Sequence, residues 1–281
     1  MIPMARTVRG ANLLITGAAG GMGRMYAERA VAEGAASVVL WDRAAAALAR
    51  TADELGQQAK GRTRVRSYVV DVAEPGAIAK AAHKVRRDHG TPDVLINNAG
   101  IVRGNAYFWE TDSGDDVRPT MLVNALAPMY VAREFLPAMI ARGRPARIVN
   151  IGSAAGTLAN PRMAVYAASK AALNGWSDSL RLELAQAGHR HVTVTTVTPS
   201  YIATGMFQGA RGPILAPVLE PEYVVERVWR AMLAGRPLLE LPASVRLSRS
   251  LRAILPTRAF DRVVGDGFGV YRSMERFTGR D

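Results

Sequence analysis

The chain has 281 residues, 49% of them hydrophobic and 21% charged, with a formal net charge of +12 and no cysteine. This composition belongs to a folded chain of one large α/β domain or two small ones. It excludes a disulfide framework, a zinc–thiolate site, an iron–sulfur cluster and a cysteine nucleophile, and no run of about 18 apolar residues offers a spanning helix.

In chain order, Asn12–Thr16 reads as a strand and Gly23–Glu33 as a helix. Ser37–Trp41 is strand-like, Ala44–Leu55 helical, Arg64–Val70 strand-like, Gly76–Asp88 helical and Asp93–Ile96 a strand. Asp115–Arg142 fits a long helix that Pro119, Pro128 and Pro137 should bend or break. Arg147–Ile151 is another strand, Val165–Gly188 a helix, and His191–Val197 a strand rich in β-branched residues. Beyond Pro199 the pattern weakens until a helix over Pro221–Ala234 and a strand over Leu238–Leu241. Near-continuous apolar strands separated by helices predict a doubly wound parallel sheet, Rossmann-type α/β, covered on both faces. We read residues 1–281 as a single domain with a lid over 204–222 and a basic C-terminal arm over 243–281.

Between the first strand and first helix lies Thr16-Gly17-Ala18-Ala19-Gly20-Gly21-Met22-Gly23. Glycine permits a tight turn and close backbone approach, and a helix N-terminus aims N–H groups at an anion, so this loop suits a pyrophosphate. Asp42 ends the second strand; a carboxylate there accepts from an adenosine ribose and repels a 2′-phosphate. Gly20 supplies no cation for such a phosphate, whereas the neighbouring Arg43 could, or could simply be solvated. The expected cofactor is therefore NAD, with NADP the alternative. Asp71-Val72 and Asn97-Asn98-Ala99-Gly100 follow the third and fourth strands, at the strand ends where such sheets bind ligands. Asp71 can accept from an adenine amino group, and Asn98 and Gly100 suit packing against a cofactor. Either segment could also be a plain turn or cap.

Tyr166 and Lys170 stand at i and i+4, on one helix face. A phenol with ordinary pKa of about 10 must fall by about three units to act as a base near neutrality. A neighbouring ammonium and an oxidised nicotinamide have the sign to do it. Ser153, after the strand Arg147–Ile151, can polarise a carbonyl oxygen or serve as an ordinary cap. Asn124 is either a core amide satisfied by backbone or a water anchor linking Lys170 to solvent.

The series TGAAGGMG, Asp42, DV, NNAG, Asn124, Ser153 and YAASK resembles the short-chain dehydrogenase/reductase family over roughly residues 10–205. The resemblance implies a tetrad of Asn124, Ser153, Tyr166 and Lys170. It makes Tyr166 the acid/base, with Lys170 lowering its pKa and holding the nicotinamide ribose, and Ser153 orienting the substrate. It brings Pro199, Ile202 and Thr204 of Pro199-Ser200-Tyr201-Ile202-Ala203-Thr204 to the carboxamide end. Ser200 departs from the glycine usual after that proline. The resemblance also implies a homodimer or homotetramer built on the helices carrying Asn124 and Tyr166.

The segments Thr204–Gly209 and Phe268–Arg280 are similar to a narrower branch of retinol and 17β-hydroxysteroid dehydrogenases. That likeness implies a small lipophilic alcohol or carbonyl substrate. Met206, Phe207, Ile214, Leu215 and Val218 then read as an apolar lid, or as ordinary core. Arg246, Arg249, Arg252, Arg258 and Arg262 interleave with Val245, Leu247, Leu251, Ile254, Leu255 and Phe260. Such an arm reads equally as a peripheral membrane contact or as a packed wall. His83, His89, His189 and His191 have no metal-ligand spacing, so no metal is expected. The scattered positive charge reads as solvated surface without nucleic-acid binding, and the expected location is the cytoplasm. A nucleotide-sensing module without turnover is the reading from another class.

Overall fold

The computed structural model describes residues 7–210, 212–213 and 216–279. Ile214 and Leu215 of the expected lid and Arg280 of the expected arm lie outside the described residues. The strands are β1 (Asn12–Thr16), β2 (Ser37–Asp42), β3 (Arg64–Val69), β4 (Val94–Asn97), β5 (Ala146–Ile151), β6 (Val192–Pro199) and β7 (Leu238–Leu241). All pair in parallel, in the order β3-β2-β1-β4-β5-β6-β7. The strand order reverses between β1 and β4, and a crevice opens beyond their C-terminal ends.

Alternation along each strand feeds two cores. Leu13 and Ile15 of β1, with Val38 and Leu40 of β2, face α1 (Gly21–Ala32), α2 (Ala45–Ala59) and α7 (Pro221–Leu233). Leu14, Val39 and Trp41 face the opposite side, against α3 (Pro75–His89), α5 (Ala127–Ala141) and α6 (Ala164–Gln186). Both faces are dry, so the interior strands read as apolar runs.

The expected long helix is a composite. A π turn over Ser113–Val117 leads into α4 (Arg118–Met121), and a second over Leu122–Leu126 leads into α5. Pro119 and Pro128 occupy the first turns of α4 and α5, where the missing N–H has no helical partner to lose. Of the three, Pro137 alone stands in a helix interior. The prolines therefore divide the segment without ending it, and Asn124 falls in the second π turn.

A polar stripe docks α6 on the sheet. Asn97 donates to Asn150 at 2.8 Å, Asn150 donates to Ser177 of α6 at 2.6 Å, and Thr196 donates to Ser177 at 2.9 Å. At its N-terminal end α6 packs against the turn after β5. A Cβ on Gly152 or Gly156 would lie 2.4 or 2.5 Å from the Asn174 amide, so glycine at both positions admits the helix.

The expected basic arm folds back as α8 (Ala243–Ile254), α9 (Thr257–Phe260) and a π turn over Asp261–Gly267, with Pro256 separating α8 from α9. Arg249 pairs with Glu240 at 2.9 Å, and Arg252 lies 5.5 Å from the centre of the Phe260 ring. The arm packs through Val245, Phe260 and Val264, while Leu247 and Ile254 stay exposed.

Candidate active site

The loop after β1 is shaped by three glycines with different duties. Gly17 and Gly21 adopt φ of +66° and +53°, which other residues rarely tolerate. A Cβ on Gly23 would lie 2.1 Å from the Gly17 carbonyl oxygen. Asn98 stitches the loop to β4: its Nδ2 donates to the carbonyl oxygens of Thr16 and Gly17 at 3.0 and 3.1 Å. Gly20 begins α1 with no side-chain cap, which leaves the first-turn N–H groups facing the crevice. A bare helix start with room for no side chain at Gly17 and Gly23 fits a dinucleotide pyrophosphate.

Asp42 lies beside this cradle. Its Oδ2 accepts from Ala19 N and its Oδ1 from Ala44 N, each at 3.0 Å. A carboxylate has about four lone-pair sites, so capacity remains for ribose hydroxyls. Arg43 is exposed. Asp71 Oδ1 accepts from Ala73 N at 2.9 Å and closes its own turn, while Val72 is buried in the second core. Ala19 and Met22 pack on the first core and Ala99 on the second. Ile202 is likewise a core residue, pairing with Leu219, and Thr204 donates its N–H to the Ile202 carbonyl at 2.8 Å. Pro199 ends β6 opposite Leu241. Ser200 holds its backbone outside the left-handed region, so the departure from glycine is tolerated.

Ser153, Tyr166 and Lys170 meet where β5 and α6 converge. The Ser153 hydroxyl lies close enough to the Tyr166 phenol to favour its ionised form, and its Oγ accepts from Ala155 N at 3.1 Å. Lys170 Nζ donates to the Ile151 carbonyl at 2.9 Å and lies 5.8 Å from the centre of the Tyr166 ring. Gly100 abuts this pair; a Cβ there would lie 3.6 Å from Lys170 Nζ. Asn124 is wholly satisfied: Oδ1 accepts from Ile101 N at 2.9 Å, and Nδ2 donates to Ile101 O at 2.8 Å and Ser169 Oγ at 3.2 Å. Its side chain therefore braces the 98–101 loop against α6.

Burial dominates the electrostatics of this pair. Tyr166 and Lys170 are each 4% exposed. Burial pushes the Tyr166 phenol above its ordinary pKa, opposed by the Ser153 hydrogen bond and reinforced by Tyr201. Burial also lowers the Lys170 amine to about 8. The group that draws the phenol downward is thus the Ser153 hydroxyl. The desolvation that raises the phenol also discourages the charge on the amine.

Tyr166 and Ser153 open onto a cleft enclosing about 720 Å³ of empty space, counted out to its mouth. Met163, Leu158 and Phe207 line it, and the arm closes the far side with Val245, Val264 and Phe268. Among the described residues, no Asp, Glu, Lys, Arg or His lines it. Phe207 stands edge-on to Tyr166, ring centres 5.9 Å apart. Of the described residues in the expected lid segment, Phe207, Pro213 and Ala216 line the cleft. Met206 and Val218 are not among its lining residues, and Val218 is 41% exposed. Asn160, Ser200 and Tyr201 also line the cleft. No local pattern singled out Asn160 or Tyr201. Among the described residues, no cluster of three His, Asp or Glu is placed to hold a metal ion.

Comparison with known proteins agrees with this geometry. Residues 11–213 match the short chain dehydrogenase family. The chain is 34% identical over 278 residues to epidermal retinol dehydrogenase 2 of Mus musculus, covering 98% of this chain and 87% of the relative. It is 34% identical over 277 residues to estradiol 17-beta-dehydrogenase 11 of Homo sapiens, covering 94% and 89%. A short chain dehydrogenase/reductase from Burkholderia phymatum, crystallised with NAD, superposes with a TM-score of 0.78 at 26% identity, covering 92% of this chain and 96% of that one. With its parallel sheet, glycine cradle and Ser153–Tyr166–Lys170 cluster, the chain belongs to the short chain dehydrogenase family and is a nicotinamide-dependent oxidoreductase acting on CH–OH groups.

Proposed function

We propose that the chain interconverts a lipophilic alcohol, of the retinoid, steroid or aliphatic class, with its carbonyl compound, using NAD(H). The observation that carries this reading is the Tyr166 hydroxyl: buried, beside Ser153, one helical turn from Lys170 and facing a cleft whose described lining is uncharged. In oxidation the Tyr166 phenolate takes the proton of the substrate hydroxyl; in reduction the phenol returns it. The Ser153 hydroxyl donates to the oxygen that carries negative charge at each stage. Protonated Lys170 holds positive potential beside the phenolate, and burial keeps water from competing for the proton. The bound nicotinamide supplies the hydride or accepts it.

The glycine cradle would hold the pyrophosphate and Asp42 the adenosine ribose. A carboxylate repels a 2′-phosphate, which favours NAD; Arg43 supports the NADP alternative. A substrate panel of retinoids, steroids and aliphatic alcohols, followed by absorbance of the reduced nicotinamide, tests the reading. Turnover that is lost in Tyr166→Phe with cofactor affinity intact supports it. Cofactor binding without turnover of any panel member favours the nucleotide-sensing reading.

We further read the protein as a cytoplasmic homodimer or homotetramer, which sedimentation measures. Leu247 and Ile254, two turns apart on α8, are 54% and 77% exposed beside Arg246 and Arg258. That face suits contact with an anionic lipid surface. Cosedimentation with anionic but not neutral vesicles, lost on Ile254→Glu, is the expected result.

A further inference from the structure

Phe207 is held among three aromatic rings from three parts of the chain. It stands edge-on to Tyr166 of α6 with ring centres 5.9 Å apart, and edge-on to Tyr201, after β6, at 5.5 Å. The third ring is Phe277 of the C-terminal arm, at 6.4 Å. Aromatic pairs at these separations attract beyond the area they bury. Phe207 itself lies in neither helix nor strand, because residues 203–209 form turns. The hold on its ring must therefore come from outside its own segment.

The arm supplies that hold. The Gln208 carbonyl oxygen accepts from Thr278 N at 2.9 Å, Thr278 Oγ1 at 3.2 Å and Gly279 N at 3.4 Å. Gly209 adopts φ of +80°, and a Cβ there would lie 2.1 Å from the Arg276 carbonyl oxygen, so the two backbones touch. The arm is pinned in turn to the cleft wall. Ser273 Oγ accepts from Asn160 Nδ2 at 2.8 Å and lies 2.7 Å from Tyr201 Oη, and Met274 is buried in one cluster with Met163 and Tyr166. Phe277 falls between these two points of attachment and meets Phe207 there.

This clasp bears on the phenol. Two titratable groups face Tyr166: Lys170 from α6 and Tyr201 from the end of β6. Among the described residues, lid and arm bring it the apolar Phe207, Phe277 and Met274, while Arg272, Glu275 and Arg276 are exposed. They act on the phenol by excluding water, which disfavours its charged form. We propose that Phe277 and Thr278 are positioning residues that hold Phe207 against Tyr166, so that the C-terminal arm keeps water from the acid/base hydroxyl during proton transfer. This rests on the alcohol–carbonyl reading above and adds the end of the chain to its machinery.

The test compares Phe207→Ala, Phe277→Ala and the double variant with the unmodified enzyme, all with NAD and an alcohol substrate, across pH. Phe277→Ala should lower kcat/KM by about threefold to tenfold. It should also move the rising limb of the oxidation profile to lower pH by about half a unit or more, because water readmitted to the phenol favours the phenolate. Since Phe277 acts through Phe207, the double variant should match Phe207→Ala within about twofold. A residue that only steadies the fold would lower the profile without moving it, and its loss would multiply with that of Phe207; either result overturns the proposal. Hydrogen exchange on the unmodified protein needs no variant to fold. Residues 205–210 and 274–279 should exchange at one common rate, as a unit that opens together, and separate rates overturn the clasp. Absence of turnover with every panel alcohol defeats the alcohol–carbonyl reading, and the exchange measurement then judges the clasp by itself.

Discussion

Lys170 Nζ donates to the carbonyl oxygen of Ile151, two residues before the serine that contacts Tyr166. One bond thereby fixes the end of β5 and the first turns of α6, and it holds the amine in a dry site. Burial lowers the amine to about 8 from its ordinary 10.5, so between these values the unfolded chain binds more protons than the folded one. Stability then rises with pH across that window. Lys170→Met carries no such charge. The melting temperature of the unmodified protein should therefore gain on that of Lys170→Met as pH rises from about 8 toward 10.5. Parallel curves would show that the folded amine titrates normally.

The Ser153 hydroxyl is the group that favours the Tyr166 phenolate against burial. Oxidation needs the phenolate and reduction needs the phenol. Removing the hydroxyl raises the phenol further, because a hydrogen bond to a charged group is worth about 1.5–3 kcal/mol. In Ser153→Ala the rising limb of the oxidation profile should move to higher pH by about one pH unit or more. Reduction should hold its rate to a correspondingly higher pH. A profile that falls in height without moving would limit Ser153 to contact with the substrate.

The sheet, the glycine cradle and the Tyr166–Lys170 pair were legible because each is local. Strand alternation, a loop between strand and helix, and an i, i+4 spacing all lie within a few residues. The cleft was not legible in that way. Its far wall joins Asn160 to Ser273, 113 residues away, and no periodicity encodes that contact. The basic pattern of α8 spoke for its outer face, while Val245 on its inner face closes the cleft. The depth to which Tyr166 is buried was hidden for a related reason. Spacing places an amine beside a phenol, but the degree of desolvation is set by Tyr201, Phe207 and the arm.

Gly23 and Gly20 separate packing from conformation within one loop. A Cβ on Gly23 would meet the Gly17 carbonyl at 2.1 Å and Asn98 Nδ2 at 2.7 Å. Gly20 has nothing within 4 Å of that position, and its φ is −172°. Gly23→Ala should cost about 1–3 kcal/mol of stability and weaken dinucleotide binding about tenfold, by forcing α1 from β1. Gly20→Ala should leave the melting temperature unchanged. Equal effects on melting would place the close contact elsewhere.

Asp42 both braces the loop and offers acceptors to the ribose, and the two duties can be told apart. In Asp42→Ala, Ala19 N and Ala44 N lose their acceptors, which should lower stability by about 1–2 kcal/mol. If bracing were its whole contribution, NAD and NADP affinities would fall together. A carboxylate that meets the ribose gives a different result, because its removal deletes acceptors for the free 2′-hydroxyl and a repulsion against the 2′-phosphate. NAD should then weaken by about tenfold while NADP binds as well as before or better. Titrating both cofactors into the variant separates these outcomes, and an unchanged ratio would confine Asp42 to the loop.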